Sequence, residues 1–213
     1  MKKAPRSIFL LAISITLIAC SSEGQKQAKT NETESHDHSA HANMDMGSSE
    51  PTDESIYNVS SVWKNRHGKE LELSSLRGKV QIVAMVYTHC EYACPRILAD
   101  MKRIRDQLSG DALANANFVI ISIDPERDTP ERLNTFATEN DLNEETWTLL
   151  NGDQGDVLEI AALLGVKYKR ISPTDFTHSN MITVLNKEGE VIHQREKLAD
   201  QQTETVEVIE SLI

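Results

Sequence analysis

The sequence predicts an α/β fold: a mixed β-sheet flanked by helices, with an N-terminal β-hairpin. Three patterns predict it. Residues 80–87 and 118–123 are nearly continuous apolar runs, the mark of strands covered on both faces. Each run leads into a segment with helical apolar spacing, so parallel crossovers are expected. Residues 181–185 and 190–194 flank Asn186-Lys-Glu-Gly189, the signature of an antiparallel hairpin.

The elements follow in chain order. Residues 59–63 and 70–73 read as short strands around the turn Asn65-Arg-His-Gly68. After the first apolar run, Pro95 marks a first helical turn. Ile97, Leu98, Met101, Ile104 and Leu108 follow at helical spacing, and Gly110 is the expected stop. The second apolar run empties into Asp124-Pro-Glu-Arg-Asp-Thr-Pro130. There Thr129 is an N-cap and Pro130 the first residue of a helix running through Phe136. Residues 147–150 form a short strand and 153–164 a helix ended by Gly165. Val206, Ile209 and Ile213 mark the inner face of a closing helix.

The first 55 residues are of a different kind. Lys2, Lys3 and Arg6 precede a mostly apolar stretch at 8–18, too short to span a bilayer comfortably and suited to a secretory signal. It closes in Leu17-Ile18-Ala19-Cys20, which resembles the lipobox of bacterial lipoproteins. That resemblance implies a signal peptide at 1–19 and a lipid on Cys20, with the chain anchored on the outer side of a bacterial membrane. Residues 20–55 are polar and read as a disordered tether. Within it lie His36, His38, His41, Met44 and Met46, donors that suit copper better than magnesium or calcium; chance histidines in a polar tail are the alternative. The folded domain is expected at 56–213.

Composition narrows the partners. Of 213 residues, 33 are acidic and 22 basic, a net charge of −11 that argues against nucleic acid. Three cysteines are too few for a disulfide scaffold. With Cys20 assigned to lipid, Cys90 and Cys94 remain as a pair.

That pair carries the chemistry. Cys90-Glu-Tyr-Ala-Cys94-Pro95 falls between a buried strand and a helix start, where open α/β sheets bind ligands. Cys94 lies near the N-cap, where helix amides favour a thiolate. Two thiolates are nucleophiles for disulfide exchange and soft ligands that select copper(I) or zinc over hard cations. A plain disulfide across the loop is the alternative in an exported protein. A third ligand would sharpen the choice, and the candidates are His67, His89, His178 and His193. His67 sits in a turn and His193 in a hairpin strand, both expected to face solvent. His89 is expected to point away from Cys90. His178 stands in a loop just before the strand at 181–185, where a histidine is more often solvated than ligating, so spacing alone leaves the third ligand open.

Tyr87-Thr-His-Cys90-Glu-Tyr-Ala-Cys94-Pro95, then Ser122-Ile-Asp-Pro-Glu-Arg-Asp-Thr-Pro130, then His178, together resemble the Sco/SenC family over about residues 56–213. Members are membrane-anchored, thioredoxin-like copper proteins that help mature the CuA centre of cytochrome c oxidase. The resemblance implies a thioredoxin-like fold. It also implies Cys90, Cys94 and His178 as ligands of copper(I) or copper(II), and an apo-cuproprotein such as oxidase subunit II as partner. A monomer is expected. Two departures stand out. The cysteine loop reads Glu-Tyr-Ala where many members have Pro-Asp-Val, so Glu91 is the acid left near the sulfurs. Thr177 precedes the histidine where members often carry Asp, which predicts a less firmly oriented ring.

The leading function is therefore a copper-binding metallochaperone. The runner-up is a thiol–disulfide oxidoreductase using Cys90 and Cys94 as its redox pair, a role that needs no histidine. A peroxiredoxin-type peroxidase is disfavoured, because Tyr87 and Glu91 stand where its threonine would precede Cys90 or Cys94.

Overall fold

The two apolar runs form the centre of the sheet. In the computed structural model, which describes residues 52–196 and 201–213, they are β3 (Val80–Val86) and β4 (Ala116–Ser122). All seven residues of β3 are buried, as a strand between two layers requires. The two strands run parallel, with Ile82 opposite Phe118. The signal peptide, Cys20 and the His/Met segment lie outside the described residues. No helix among the described residues is long and apolar enough to cross a membrane.

Seven strands form the main sheet, in the order β2 (Glu70–Glu72), β1 (Val62–Asn65), β5 (Trp147–Asn151), β4, β3, β8 (Ile182–Leu185) and β9 (Val191–Arg195). β1 and β2 are the N-terminal hairpin; β1 pairs antiparallel with β5. β5 is parallel to β4. On the other side, β8 pairs antiparallel with β3, and β9 closes the edge. Gly189 turns the β8–β9 hairpin at φ 85°, and an added Cβ would lie 2.6 Å from the Tyr57 ring. A non-glycine residue would meet both strain and a clash there.

The helices are α1 (Ala93–Gln107), α2 (Gly110–Ala114), α3 (Pro130–Glu139), α4 (Gln154–Leu163) and α5 (Thr203–Ser211). α1 buries Ile97, Leu98, Met101 and Ile104, the expected stripe. α3 starts as its sequence dictates: the Thr129 hydroxyl accepts from the Arg132 amide, and Pro130 opens the helix. α4 ends before Gly165, whose φ of 64° suits the left-handed stop.

Four expectations need correction. Residues 59–61 precede β1 rather than belong to it. α1 starts two residues before Pro95, because the chain turns into helix directly after the cysteine loop. Gly110 does not merely stop α1; Ser109 caps a new short helix there, its hydroxyl accepting from the Ala112 amide. Ile213 lies beyond α5 and is 40% exposed, so Val206 and Ile209 carry that helix's inner face.

The largest departure is a second, two-stranded sheet. β6 (Tyr168–Arg170) and β7 (Phe176–His178) form an antiparallel hairpin that shares no ladder with the main sheet. His178 is therefore the last residue of a strand, paired with Tyr168, and not a loop residue.

Candidate metal centre

The site forms where β3 runs out. Beyond Val86 the chain must leave a fully buried strand and enter α1 within six residues. A carboxylate fixes this passage. Asp128, fully buried, accepts from the Thr88 amide at 3.0 Å, the Thr88 hydroxyl at 2.6 Å and the Ser122 hydroxyl at 2.7 Å. Arg132 Nε donates to the Thr88 hydroxyl oxygen at 2.9 Å. Thr88 is thus held from both sides, and the Cys90 amide closes the turn onto the Tyr87 carbonyl.

Cys90 lies in that turn, half-buried, and Cys94 is the second residue of α1, buried. Neither is in a disulfide. No side chain caps α1 at Tyr92; the Cys94 amide instead points at Cys90 Sγ, 3.4 Å away. The sulfur of Cys90 takes the place a capping oxygen would fill. His178 reaches the pair from β7, its Nε2 3.5 Å from Cys94 Sγ. The ligand atoms of Cys90, Cys94 and His178 all lie within 4.8 Å of one another. The structure thus brings together the three residues singled out from the sequence.

The electrostatics reverse one expectation. Cys90, not Cys94, is the stabilised thiolate. Its pKa falls to about 4, chiefly because the Cys94 thiol donates to it; the Cys94 and Tyr92 amides at the helix start help, against the cost of burial. Cys94 is pushed up, by its hydrogen bond to Cys90 and by burial. The helix terminus does favour a thiolate, but the amides aim at the earlier cysteine. Tyr87, beneath the site, is raised to about 12, mainly by burial.

The His178 ring is oriented despite Thr177. Its Nδ1 lies 3.0 Å from the Ser179 carbonyl oxygen. A carbonyl only accepts, so Nδ1 carries the proton and Nε2 presents its lone pair towards Cys94. The Tyr87 ring meets the imidazole edge-on at 6.0 Å and packs on Phe176 at 5.2 Å. Two thiols and an imidazole nitrogen form a soft donor set that fits a copper ion.

The other histidines among the described residues lie elsewhere. His89 turns away from the sulfurs, its Nδ1 3.2 Å from the Thr88 hydroxyl and 3.5 Å from Asp128. His67 sits in the β1–β2 turn and meets Glu144 at 2.8 Å. His193 is half-buried rather than solvent-facing, its Nε2 3.2 Å from the Thr205 hydroxyl. Glu91 is exposed. An open cavity of about 460 Å³ leads to the group, lined by Tyr87, Cys90, Tyr92, Phe176 and His178 among others, with Tyr92 83% exposed at its rim.

The family model described as SCO1/SenC matches residues 53–213. The SCO1 protein homolog of Bacillus subtilis is 31% identical over 105 residues, covering 49% of this chain and 54% of that protein. The match thus spans about half the length of that relative. Among solved structures, a SCO1/SenC family lipoprotein from Bacillus anthracis superposes with a TM-score of 0.65 at 21% identity, covering 71% of this chain and 91% of that one. Copper-bound ScoI of Bradyrhizobium japonicum gives 0.61 at 22%, covering 72% and 97%. BsSco, a member of the Sco family of cytochrome c oxidase assembly proteins, gives 0.62 at 24%, covering 71% and 90%. These likenesses show the thioredoxin-like Sco fold.

Proposed function

The chain belongs to the SCO1/SenC family, and on that premise we propose that it is a monomeric, lipid-anchored copper carrier working outside the cytoplasm. Cys90, Cys94 and His178 hold one copper ion as cargo. The recipient is the CuA site of cytochrome c oxidase or another extracytoplasmic cuproprotein. The observation that carries this reading is the convergence of two sulfurs and one imidazole nitrogen within 4.8 Å. Three soft or borderline donors bind copper well, yet leave coordination positions open to an incoming thiolate or imidazole of the recipient. The cavity beside Cys90 gives that ligand its approach.

The sequence supplies the rest. In this reading the lipobox-like Leu17-Ile18-Ala19-Cys20 carries the anchor on Cys20, and residues 20–55 serve as the tether from which the domain at 56–213 reaches its partner. His36, His38, His41, Met44 and Met46 form a collecting patch that feeds the domain. Removing residues 21–51 is then expected to lower copper stoichiometry while leaving one tightly held ion. The copper-loaded chain, mixed with a reduced metal-free soluble CuA domain, should lose its copper as the CuA absorption grows in. Copper that stays on this chain, with the CuA domain competent to take free copper, would exclude delivery to that target.

One observation favours a second reading. Cys90 is a stabilised thiolate beside a protonated partner thiol, the arrangement needed to reduce a disulfide. In that role Cys90 attacks a partner disulfide and releases one partner thiolate. Cys94 then loses its proton and displaces the second, leaving Cys90–Cys94 oxidised by two electrons and the partner reduced by two. Insulin reduction at a rate unaffected by His178→Ala would favour this reading.

A further inference from the structure

The loop between β4 and α3 carries two fully buried carboxylates, and they face opposite halves of the candidate site. Asp128 braces the strand end before Cys90, as described above. Asp124 faces the hairpin that carries His178. Its amide is held by the Ser122 hydroxyl at 3.0 Å, and its side chain is completely buried. One carboxylate oxygen accepts from Arg127 Nε; the other faces Arg170 Nη2 at 3.4 Å. Arg170 belongs to β6. Arg127 comes from the same loop as Asp124, and its Nη2 donates to the Thr174 carbonyl in the β6–β7 turn at 2.6 Å. Arg170 also meets Glu126 at 3.1 Å and lies over the Phe176 ring, 4.9 Å from its centre.

A buried carboxylate is tolerated only when paired and hydrogen-bonded, and breaking one side leaves an uncompensated charge. Asp124 therefore demands both arginines, and both tie it to the hairpin. The hairpin needs such a tie, since it shares no ladder with the main sheet. Phe176 packing on Tyr87 gives it an apolar foot, and the Asp124–Arg127–Arg170 cluster gives it a polar fastening. We infer that Asp124, Arg127 and Arg170 are positioning residues that clamp the β6–β7 hairpin to the β4–α3 loop, and so set how closely His178 approaches the cysteine pair. One short loop thus adjusts both halves: Asp128 fixes the sulfurs and Asp124 fixes the imidazole.

The consequence for copper rests on the reading above; the clamp itself does not. The test uses the reduced, metal-free full chain with Asp124→Asn and, because a buried substitution can impair folding, the half-exposed Arg170→Gln as a second variant. Hydrogen exchange across residues 168–178 is expected to quicken about tenfold or more in both, while β3 and β4 keep their wild-type rates. Arg170→Lys, which keeps the charge, should recover part of the protection. With copper(I) loaded, both variants should release it faster to a chelator. Unchanged hairpin exchange in both variants, or an equal rise throughout the domain, would overturn the clamp. Failure of the wild-type chain to hold copper would instead overturn the copper reading and leave the exchange result to decide the clamp.

Discussion

The two halves of the candidate site are built by different physics. The cysteine half grows out of the core: β3 is buried along its whole length, α1 packs over the sheet, and Asp128 fastens the passage between them. The histidine half stands on a three-residue-per-strand hairpin outside the main sheet, held by Phe176 and an arginine-paired carboxylate. One half inherits its position from global folding. The other is set by a few local contacts. If the three side chains hold copper as proposed, two of the ligands are anchored by the core and the third by a local fastening.

The same substitution in each half should break this comparison if it is wrong. Ile120→Ala removes a fully buried side chain from β4 and should cost about 2–5 kcal/mol of unfolding free energy in urea. Ile171→Ala, in the hairpin turn and 64% exposed, should change stability by no more than about 0.5 kcal/mol. Equal losses would mean that hairpin and core are one energetic unit.

A second prediction sharpens the cysteine half. At pH 7 the reduced protein should be alkylated at Cys90 at least about 100-fold faster than at Cys94, because one is an accessible thiolate and the other a buried thiol. The Cys90 pKa is depressed to about 4, so its thiolate fraction is already complete at neutral pH. Its alkylation rate should therefore stay level from pH 8 down to about pH 5.5 and fall as pH drops through about 4. A rate that climbs tenfold per unit between pH 6 and 8 would show an ordinary thiol instead.

The smallest effect compares two helix starts at the same end of the sheet. α3 is capped by the Thr129 hydroxyl, whereas the α1 start points the Cys94 amide at the Cys90 sulfur. Thr129→Ala should cost about 1 kcal/mol and leave Cys90 reactivity unchanged. Altered reactivity would show that the α3 cap also supports the cysteine loop.

The same division explains what the sequence made legible. Elements driven by continuous burial or local chemistry could be read directly: the runs at 80–87 and 118–123, the Thr129-Pro130 helix start, and the Asn186–Gly189 turn. Ser109 before Gly110 was a readable cap, overshadowed by the usual role of glycine as a stop. The β6–β7 hairpin escaped because each strand has three residues and Phe176 is the only buried side chain among them. Its pairing depends on contacts with residues distant in sequence, notably Tyr87 and Asp124, although Ser172-Pro-Thr-Asp175 carries a turn signal. Cys90, Cys94 and His178 could be named from residue chemistry and family resemblance. Which sulfur carries the charge depends on where the α1 amides point, and only the folded geometry sets that.

The central claim is that these three side chains form one copper site. Its most direct test is copper(I) titration of the reduced chain against a competing chromophoric chelator, beside Cys90→Ser, Cys94→Ser and His178→Ala. One tightly bound ion is expected in the wild type. Either serine variant should bind at least about 100-fold more weakly, beyond the usual cost of losing an outer partner, and His178→Ala about tenfold more weakly. Wild-type affinity in all three variants would contradict the assignment.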